Sequence, residues 1–314
     1  MFWCFQLGAL TLFIRFWVFG KRNDVEGVIR FLKWAFQYRV VQIGDEKLFK
    51  DRRCVYLANH RSWADFFVDM YVVAGDAVPL SRKEVGMAFP AFTSSLMAVK
   101  AILLFNRGGV KNLERFNSWL DKASMAAHSQ NLLVYPEGTR SLRQASLPLK
   151  RGMLRYAYTR RLPVQVMITA HKEEVLNERR RTAHWGRTLV VGFSEVLDST
   201  QFAEFDAFMA EVQRVWDAQW ERVHSAPRQG KEYNPSYSTK QYSPQVLALQ
   251  TAALAFWTAV LALAAYQSLR LLAAVAAWGL VGRVVLGGLA LWSAASMAVA
   301  LLPPPPRKAA RKQE

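Results

Sequence analysis

Short apolar runs alternate with segments of helical spacing through the middle of the chain. The apolar runs, which the pattern predicts as buried strands, are Cys54–Asn59, Ala101–Asn106, Asn131–Tyr135, Pro163–Ala170 and Thr188–Phe193. Segments in which apolar positions recur every three or four residues, as in helices, are Trp63–Val73, Val110–Ala127, Leu149–Arg161 and Phe202–Val223. Strands that alternate with helices predict an α/β fold with a mostly parallel sheet flanked by helices.

The C-terminal quarter has a different pattern, with two long runs that carry no charge. These runs are Gln241–Leu269 and Val284–Pro306, and each exceeds the ~20 residues that cross the hydrocarbon core of a bilayer. The sequence therefore predicts a transmembrane hairpin. Its expected spans are Val246–Leu269 and Val284–Leu302, with Leu271–Arg283 as a turn or interfacial stretch between two arginines.

The N-terminal segment Phe2–Gly20 is apolar and rich in aromatic residues. Its positive charges follow at Lys21 and Arg22, whereas a cleaved signal peptide carries them in front. We therefore expect a retained membrane anchor. The predicted parts of the chain are an anchor (1–20), a globular domain (21–224), a linker (225–245), the hairpin (246–302) and a basic tail (303–314).

The formal net charge is +17, which suits a partner that is nucleic acid, anionic lipid or a phosphorylated substrate. The predicted membrane segments favour lipid or phosphate, and the cations lack the interleaved aromatic residues of a nucleic-acid surface. Cys4 and Cys54 lie in different regions, so no disulfide framework is indicated and we expect a reducing, cytosol-facing compartment.

Chemically active side chains directly follow three of the predicted strands. They are Asn59-His60, Asn106-Arg107 and Pro136-Glu137-Gly138. In parallel sheets the ligand site lies beyond the carboxyl ends of the strands. The pattern therefore predicts one site built from these three strand ends.

His60 and Asp65 are five positions apart, too far around a continuous helix to meet. If His60 lies in the turn and Asp65 in the first helical turn, the carboxylate can reach back to the imidazole and make it a competent base. The alternative is an ordinary helix start with a surface histidine. The spacing alone does not decide between these two interpretations.

The segment Thr139–Leu162 carries seven cations and no acidic residue. A solvated basic face is one interpretation, but the uncompensated repulsion suggests an anionic partner such as phosphate. Gly138 permits a tight turn after the strand that ends at Tyr135.

The ordered pattern N-H-x-x-x-x-D, F-x-R, P-E-G-T-R and an apolar strand that opens at Pro163 resembles the four motifs of the glycerolipid acyltransferase superfamily, most closely the 1-acylglycerol-3-phosphate (lysophosphatidic acid) acyltransferases. The resemblance covers about Tyr56 to Ile168 and is most specific in the first and third motifs. The fourth motif departs from the pattern, with Gln165 in an apolar block and no closing proline.

The resemblance implies an enzyme that transfers a fatty-acyl group from acyl-CoA to the hydroxyl of lysophosphatidic acid, giving phosphatidic acid. It implies that His60 deprotonates the acceptor, that Asp65 orients His60, and that substrate is bound by Asn59, Arg107, Glu137, Gly138, Thr139 and Arg140. Acyl-CoA serves as co-substrate, and neither a cofactor nor a metal is expected. The implied location is the endoplasmic reticulum membrane, with the catalytic domain facing the cytosol.

The sequence leaves other functions open. The acceptor could be another lysophospholipid or glycerol-3-phosphate, or the reaction could be a CoA-independent transacylation. A catalytically inactive, lipid-binding protein that shapes membranes is the alternative from a different class. The sequence leaves the acyl-chain preference and the oligomeric state open.

Overall fold

The structure, a computed structural model, describes residues 24–106, 112–238, 240 and 242–302. The strands are β1 (Arg39–Ile43), β2 (Val55–Ala58), β3 (Val78–Arg82), β4 (Leu103–Phe105), β5 (Leu132–Val134), β6 (Val164–Ala170), β7 (Leu176–Asn177), β8 (Thr182–Ala183) and β9 (Thr188–Leu197). The helices are α1 (Asp24–Phe36), α2 (Ala64–Val72), α3 (Glu84–Ala88), α4 (Pro90–Ala98), α5 (Leu113–Met125), α6 (Arg151–Thr159), α7 (Lys172–Val175), α8 (Phe205–Ser225), α9 (Pro244–Ala276) and α10 (Leu280–Leu301). The predicted anchor (1–20), Arg107 and the predicted tail (303–314) lie outside the described residues.

Seven strands form one sheet in the order β1-β9-β6-β2-β5-β3-β4. Every neighbouring pair is parallel except β6 and β9, which are antiparallel. The predicted mostly parallel sheet is therefore confirmed. Because of the single reversal, the beginnings of β1 and β9 lie at the same edge as the carboxyl ends of β2, β5 and β6. We call this edge the site edge.

Helices cover both faces of the sheet. Along β2, Tyr56 and Ala58 face the layer that α1, α2 and α4 complete, while Val55 and Leu57 face the layer of α5, α6 and α8. This alternation follows from the two-residue period of a strand. Since both faces are buried, the strand reads as a continuous apolar run in the sequence.

Gln165 is the polar residue that interrupts the otherwise apolar fourth motif. Its side chain is buried on β6, where Oε1 accepts a hydrogen bond from Phe49 N at 2.9 Å and Nε2 donates to the carbonyls of Lys47 and Ser194 at 2.8 and 2.9 Å. All of these bonds lie inside the fold. Gln165, which departs from the apolar pattern of this motif, therefore attaches the segment after β1 to the sheet.

The C-terminal hairpin consists of α9 and α10, both long and apolar enough to cross a membrane, with mean hydropathies of 2.0 and 1.5. The domain buries Gln250 and Leu254 near the start of α9, and most of the remaining apolar surface is exposed. The prediction that residues 271–283 form a turn is wrong, while the alternative of an interfacial stretch stays a prediction. Residues 271–276 are leucine, alanine and valine and continue the helix, and the reversal occurs at residues 277–279, where Gly279 has φ +65°.

The predicted linker between α8 and α9 has no regular structure in its described residues, 226–238, 240, 242 and 243, and it is attached to the domain. Tyr233 donates its N–H to Val40 O at 2.8 Å and its hydroxyl to Val72 O at 2.7 Å. Lys240 forms an ion pair with Asp76 at 2.9 Å. These contacts hold the segment on the domain before α9 begins.

Candidate active site

His60 and Asp65 meet at the site edge. His60 lies in the turn between β2 and α2, and Asp65 lies in the first turn of α2. The His60 Nδ1 atom is 2.7 Å from Asp65 Oδ2. The same carboxylate accepts backbone hydrogen bonds from Arg61 N at 2.5 Å and Ser62 N at 3.1 Å. The predicted contact between the two side chains is therefore present, and Asp65 is held in place by the turn itself.

The imidazole is accessible while its partner is not. The side chain of His60 is 27% exposed and that of Asp65 is 2% exposed. Because a carboxylate faces Nδ1, that nitrogen carries the proton in the neutral ring, and Nε2 is left as the acceptor. The His60 ring stacks on Tyr135, with centroids 4.4 Å apart and planes at 19°. The imidazole ring is thus held at Nδ1 by Asp65 and on one face by Tyr135.

Glu137 supports the backbone of His60. Its Oε1 accepts a hydrogen bond from His60 N at 2.8 Å, and the residue is 1% exposed. Gly138, with φ +69°, closes the turn through its N–H to Tyr135 O at 3.0 Å. Burial raises the pKa of Glu137 to about 7, although the His60 amide opposes the shift. The predicted substrate contact of Glu137 stays a prediction, and the geometry favours a positioning role.

Asn59 is also used within the fold. Its Nδ2 donates to Thr169 O and its Oδ1 accepts from Thr169 N, both at 3.0 Å. The side chain is completely buried. This reciprocal pair ties the ends of β2 and β6 together. Its predicted role in substrate binding therefore stays a prediction, whereas its bonds position the residue next to it, His60.

Lys172 and Asp69 form a buried ion pair that the sequence analysis did not identify. Lys172 Nζ lies 2.7 Å from Asp69 Oδ2 and 3.6 Å from Asp65 Oδ1, and it donates to Asn59 O at 2.6 Å. Lys172 and Asp69 are both fully buried. Desolvation raises the pKa of Asp69, and the Lys172 ammonium opposes that shift. Two features of the sequence could have indicated this pair. Asp69 lies one helical turn beyond Asp65, and Lys172 lies two residues after β6.

A second buried pair, also missed, stabilises the same turn. The Arg61 guanidinium binds the Glu173 carboxylate at 2.8 and 3.3 Å and donates to Arg143 O at 2.7 Å. It also lies over the Trp220 ring at 5.6 Å. The segment after β2 is thus connected to those after β5 and β6.

Arg140 lies at the solvent side of the site. Its guanidinium pairs with Glu178 at 2.8 Å, is 32% exposed, and lies 5.9 Å from the centroid of the Trp63 ring. Thr139 is exposed and Gly138 half-buried. The roles predicted for Gly138, Thr139 and Arg140 in substrate binding stay predictions, and Arg107 lies outside the described residues.

The cations of Thr139–Leu162 are less isolated than their sequence context suggested. Arg151 pairs with Asp206, and Arg160 pairs with Asp121 at 2.8 Å. The argument from an absent counter-charge therefore fails for these two arginines, because their acids come from distant parts of the chain.

Residues 39–169 match the sequence model of the family described as Acyltransferase. A 1-acyl-sn-glycerol-3-phosphate acyltransferase of Cocos nucifera is 27% identical over 146 residues, which are 44% of this chain and 44% of that protein. The 1-acyl-sn-glycerol-3-phosphate acyltransferase alpha of Homo sapiens is 26% identical over 158 residues, 48% of this chain and 52% of that protein. The matched region thus spans about half the length of these curated relatives.

The crystal structure of the 1-acyl-sn-glycerophosphate (LPA) acyltransferase from Thermotoga maritima has the same fold, with a TM-score of 0.52 and 21% identity. The similarity covers 70% of this chain and 89% of that chain. The matched residues 39–169 include His60, Asp65 and the Glu137 turn. Residues 39–169 are therefore similar to the acyltransferase family, and the curated relatives that they match are 1-acyl-sn-glycerol-3-phosphate acyltransferases.

Proposed function

We propose that the protein transfers a fatty-acyl group from acyl-CoA to the free hydroxyl of lysophosphatidic acid, giving phosphatidic acid. The observation that carries this proposal is the 2.7 Å contact between His60 Nδ1 and the buried Asp65 carboxylate. A histidine held in this way can act as a general base at Nε2. The names of the relatives support lysophosphatidic acid as the acceptor.

In the proposed reaction, the acceptor hydroxyl gives its proton to His60 Nε2 as its oxygen attacks the thioester carbonyl. The tetrahedral intermediate then collapses, the carbon–sulfur bond breaks, and the imidazolium returns the proton to the leaving CoA thiolate. Asp65 stabilises the imidazolium between these steps. Because a thioester is already activated, a base and a stabiliser of the oxyanion are the main groups the reaction needs.

Arg140 is the proposed ligand of the acceptor phosphate. A guanidinium can bind a phosphomonoester through two parallel hydrogen bonds. In the structure this guanidinium is paired with Glu178 at 2.8 Å and remains partly exposed. A bound phosphate would therefore either share the Arg140 guanidinium with the Glu178 carboxylate or displace that carboxylate from it. The nearby Trp63 ring offers an apolar surface beside the charge.

The proposed location is the endoplasmic reticulum membrane, with the domain on the cytosolic side. The apolar surface of α9 and α10 supports membrane association. Acyl-CoA is available in the cytosol, and two crossings return the chain to the side on which the domain lies. The basic sequence that follows the hairpin agrees with the excess of positive charge on cytosolic segments.

The test is an assay of the purified full chain with labelled acyl-CoA and a panel of acceptors. We expect the highest kcat/KM with lysophosphatidic acid and lower values with lysophosphatidylcholine and glycerol-3-phosphate. Transfer to another lysophospholipid at a higher kcat/KM would reassign the acceptor. Transfer from phospholipid without acyl-CoA would reassign the donor.

A further inference from the structure

The lengths of α9 and α10 fix the level at which the hairpin leaves the domain. Leu254 is the last buried residue of α9. The helix rises about 33 Å from Leu254 to Ala276, and α10 is also about 33 Å long at 1.5 Å per residue. Both lengths match the hydrocarbon thickness of a bilayer, ~30 Å. A membrane around the hairpin therefore has one surface near Leu254 and near the end of α10.

The end of α10 lies against the site edge. Arg187 Nη2 donates to Leu302 O at 2.7 Å, and Arg187 directly precedes β9. The beginning of β9 pairs with the end of β6, through Val190 and Ala170. The strand β6 in turn leads to Lys172 beside the Asp65 carboxylate. The exit of α10 and the candidate catalytic residues are thus at the same edge of the sheet.

The path of α9 leads to the same edge. Val246, in its first turn, lies beside Val99 and Lys100, which follow α4. The helix packs on α4 and runs back along it towards Phe89, which precedes α4. The Phe89 ring contacts the Trp63 ring of the site, with centroids 5.0 Å apart. Both helices of the hairpin therefore project from the side of the domain that carries His60.

Three consecutive arginines, Arg179, Arg180 and Arg181, form the turn between β7 and β8 at this edge. All three are exposed, and none forms an ion pair with a residue in the described parts of the chain. Arg179 donates to Arg140 O at 2.8 Å, which places the turn beside the site. The nearest acid in sequence, Glu178, is already paired with Arg140. We call Arg179–Arg181 the arginine turn.

We propose that the arginine turn binds the anionic phospholipid headgroups of the leaflet from which the hairpin emerges, and so holds the site edge on the bilayer surface. Guanidinium groups bind phosphate through paired hydrogen bonds, and clusters of exposed cations beside a membrane helix are attracted to anionic lipid. Trp34, 67% exposed at the end of α1, suits the same interface. It lies near this edge because Gly186 donates to Phe36 O.

The experiment measures the depth of the arginine turn in proteoliposomes of the full chain. Arg180→Cys carries a fluorophore in a Cys4→Ser background, and the remaining Cys54 is buried. Lys122→Cys is the matched control, because it is exposed near the end of α5, which leads to the opposite edge of the sheet. The vesicles are phosphatidylcholine alone or an equal mixture with phosphatidylglycerol. A spin label on the lipid headgroup quenches probes at the surface.

We expect quenching at position 180 to exceed quenching at position 122 by severalfold in the mixed vesicles. The difference should shrink in pure phosphatidylcholine, in high salt, and in the Arg179→Gln/Arg181→Gln background. The pair Arg155→Gln/Arg161→Gln should leave it unchanged. Equal quenching at both positions would overturn the proposal, and so would an identical excess in the two lipid mixtures. Neither readout requires acyl transfer, so failure here is distinct from failure of the proposed reaction.

Discussion

Lys172 and Glu137 hold opposite sides of one peptide group. Lys172 Nζ donates to Asn59 O at 2.6 Å, and the N–H of the same peptide, from His60, donates to Glu137 Oε1 at 2.8 Å. The two side chains come from segments that follow different strands, β6 and β5. Because the peptide is planar, the backbone at His60 cannot rotate about its preceding bonds without breaking one of these contacts.

The first prediction separates the positioning role of Lys172 from its role in stability. Lys172→Met leaves Asp69 buried without its partner, which should cost about 3–5 kcal/mol of unfolding free energy. Lys172→Met/Asp69→Leu removes both charges and should restore most of the melting temperature. Its kcat should stay at least about tenfold low, because the bond from the ammonium to Asn59 O is missing. Wild-type kcat in the double variant would show that the pair is only structural.

The second prediction concerns the proposed base. His60→Ala should reduce acyl transfer by about 10²–10⁴-fold, and Asp65→Asn should cause comparable loss because it permits the wrong tautomer. The measurement is the initial rate with labelled acyl-CoA at matched amounts of folded protein. Asp76→Asn, in the surface pair with Lys240, is the control and should stay active. Turnover near wild type in His60→Ala would exclude this histidine as the base.

The third prediction is a pH dependence of stability. Glu137 has a pKa of about 7 in the folded protein against 4.5 as its ordinary value. The folded state therefore binds more protons between these values, and the stabilising contribution, complete below about pH 4.5, is lost as pH rises through about 7. Glu137→Gln keeps an oxygen acceptor for His60 N and cannot titrate. The melting temperature, measured in detergent across this range, should fall more steeply with rising pH for the wild type than for Glu137→Gln.

Glu195→Gln provides the matched control for this experiment, because Glu195 is exposed. Its melting temperature should follow that of the wild type over the same pH range. Parallel curves for wild type and Glu137→Gln would contradict the assignment of the pH dependence to Glu137.

The fourth prediction concerns Arg140. Arg140→Ala should raise KM for lysophosphatidic acid by about 10–100-fold, the range expected for losing a charged hydrogen bond, while KM for acyl-CoA changes little. Arg140→Lys should restore little, because an ammonium lacks the planar fork. Arg155→Ala is the control cation outside the proposed site. An unchanged KM for the acceptor in Arg140→Ala would remove this residue from the phosphate site.

The fifth prediction concerns topology. A cysteine in place of Trp278, at the tip of the hairpin, should react with an impermeant reagent only from the luminal side of sealed microsomes. An epitope after residue 302 should be digested by protease added outside. Protection of that epitope until detergent is added would contradict two complete crossings.

The sequence predicted the central strands because β2, β5 and β6 are buried on both faces and therefore read as continuous apolar runs. It did not predict β3, in which Pro79 interrupts a short run and only the first two residues are buried. β1 was also missed, since its five residues mix Arg39 and Gln42 with the apolar positions. Both strands depend on neighbours for their pairing, which local patterns do not show.

The candidate site was predictable where residues lie close in the sequence. His60 and Asp65 are five positions apart, so the turn geometry that joins them could be inferred. Lys172 is more than one hundred positions from its partner Asp69, and the contact depends on the order of β2 and β6 in the sheet. Likewise, the acid that pairs with Arg140 is Glu178, from a hairpin that the sequence pattern did not reveal.

The attachments of the segment between α8 and α9 divide it into shorter loops. The part between Tyr233 and Lys240 closes on fixed points at both ends, so its closure entropy depends only weakly on its length. Doubling a flexible loop costs only about 0.6 kcal/mol. Extra residues on either side of Tyr237, which packs against the core between these two points, would enlarge a surface loop and leave the start of α9 in place. The number of residues in this segment can therefore vary without changing how the hairpin is aligned with the sheet.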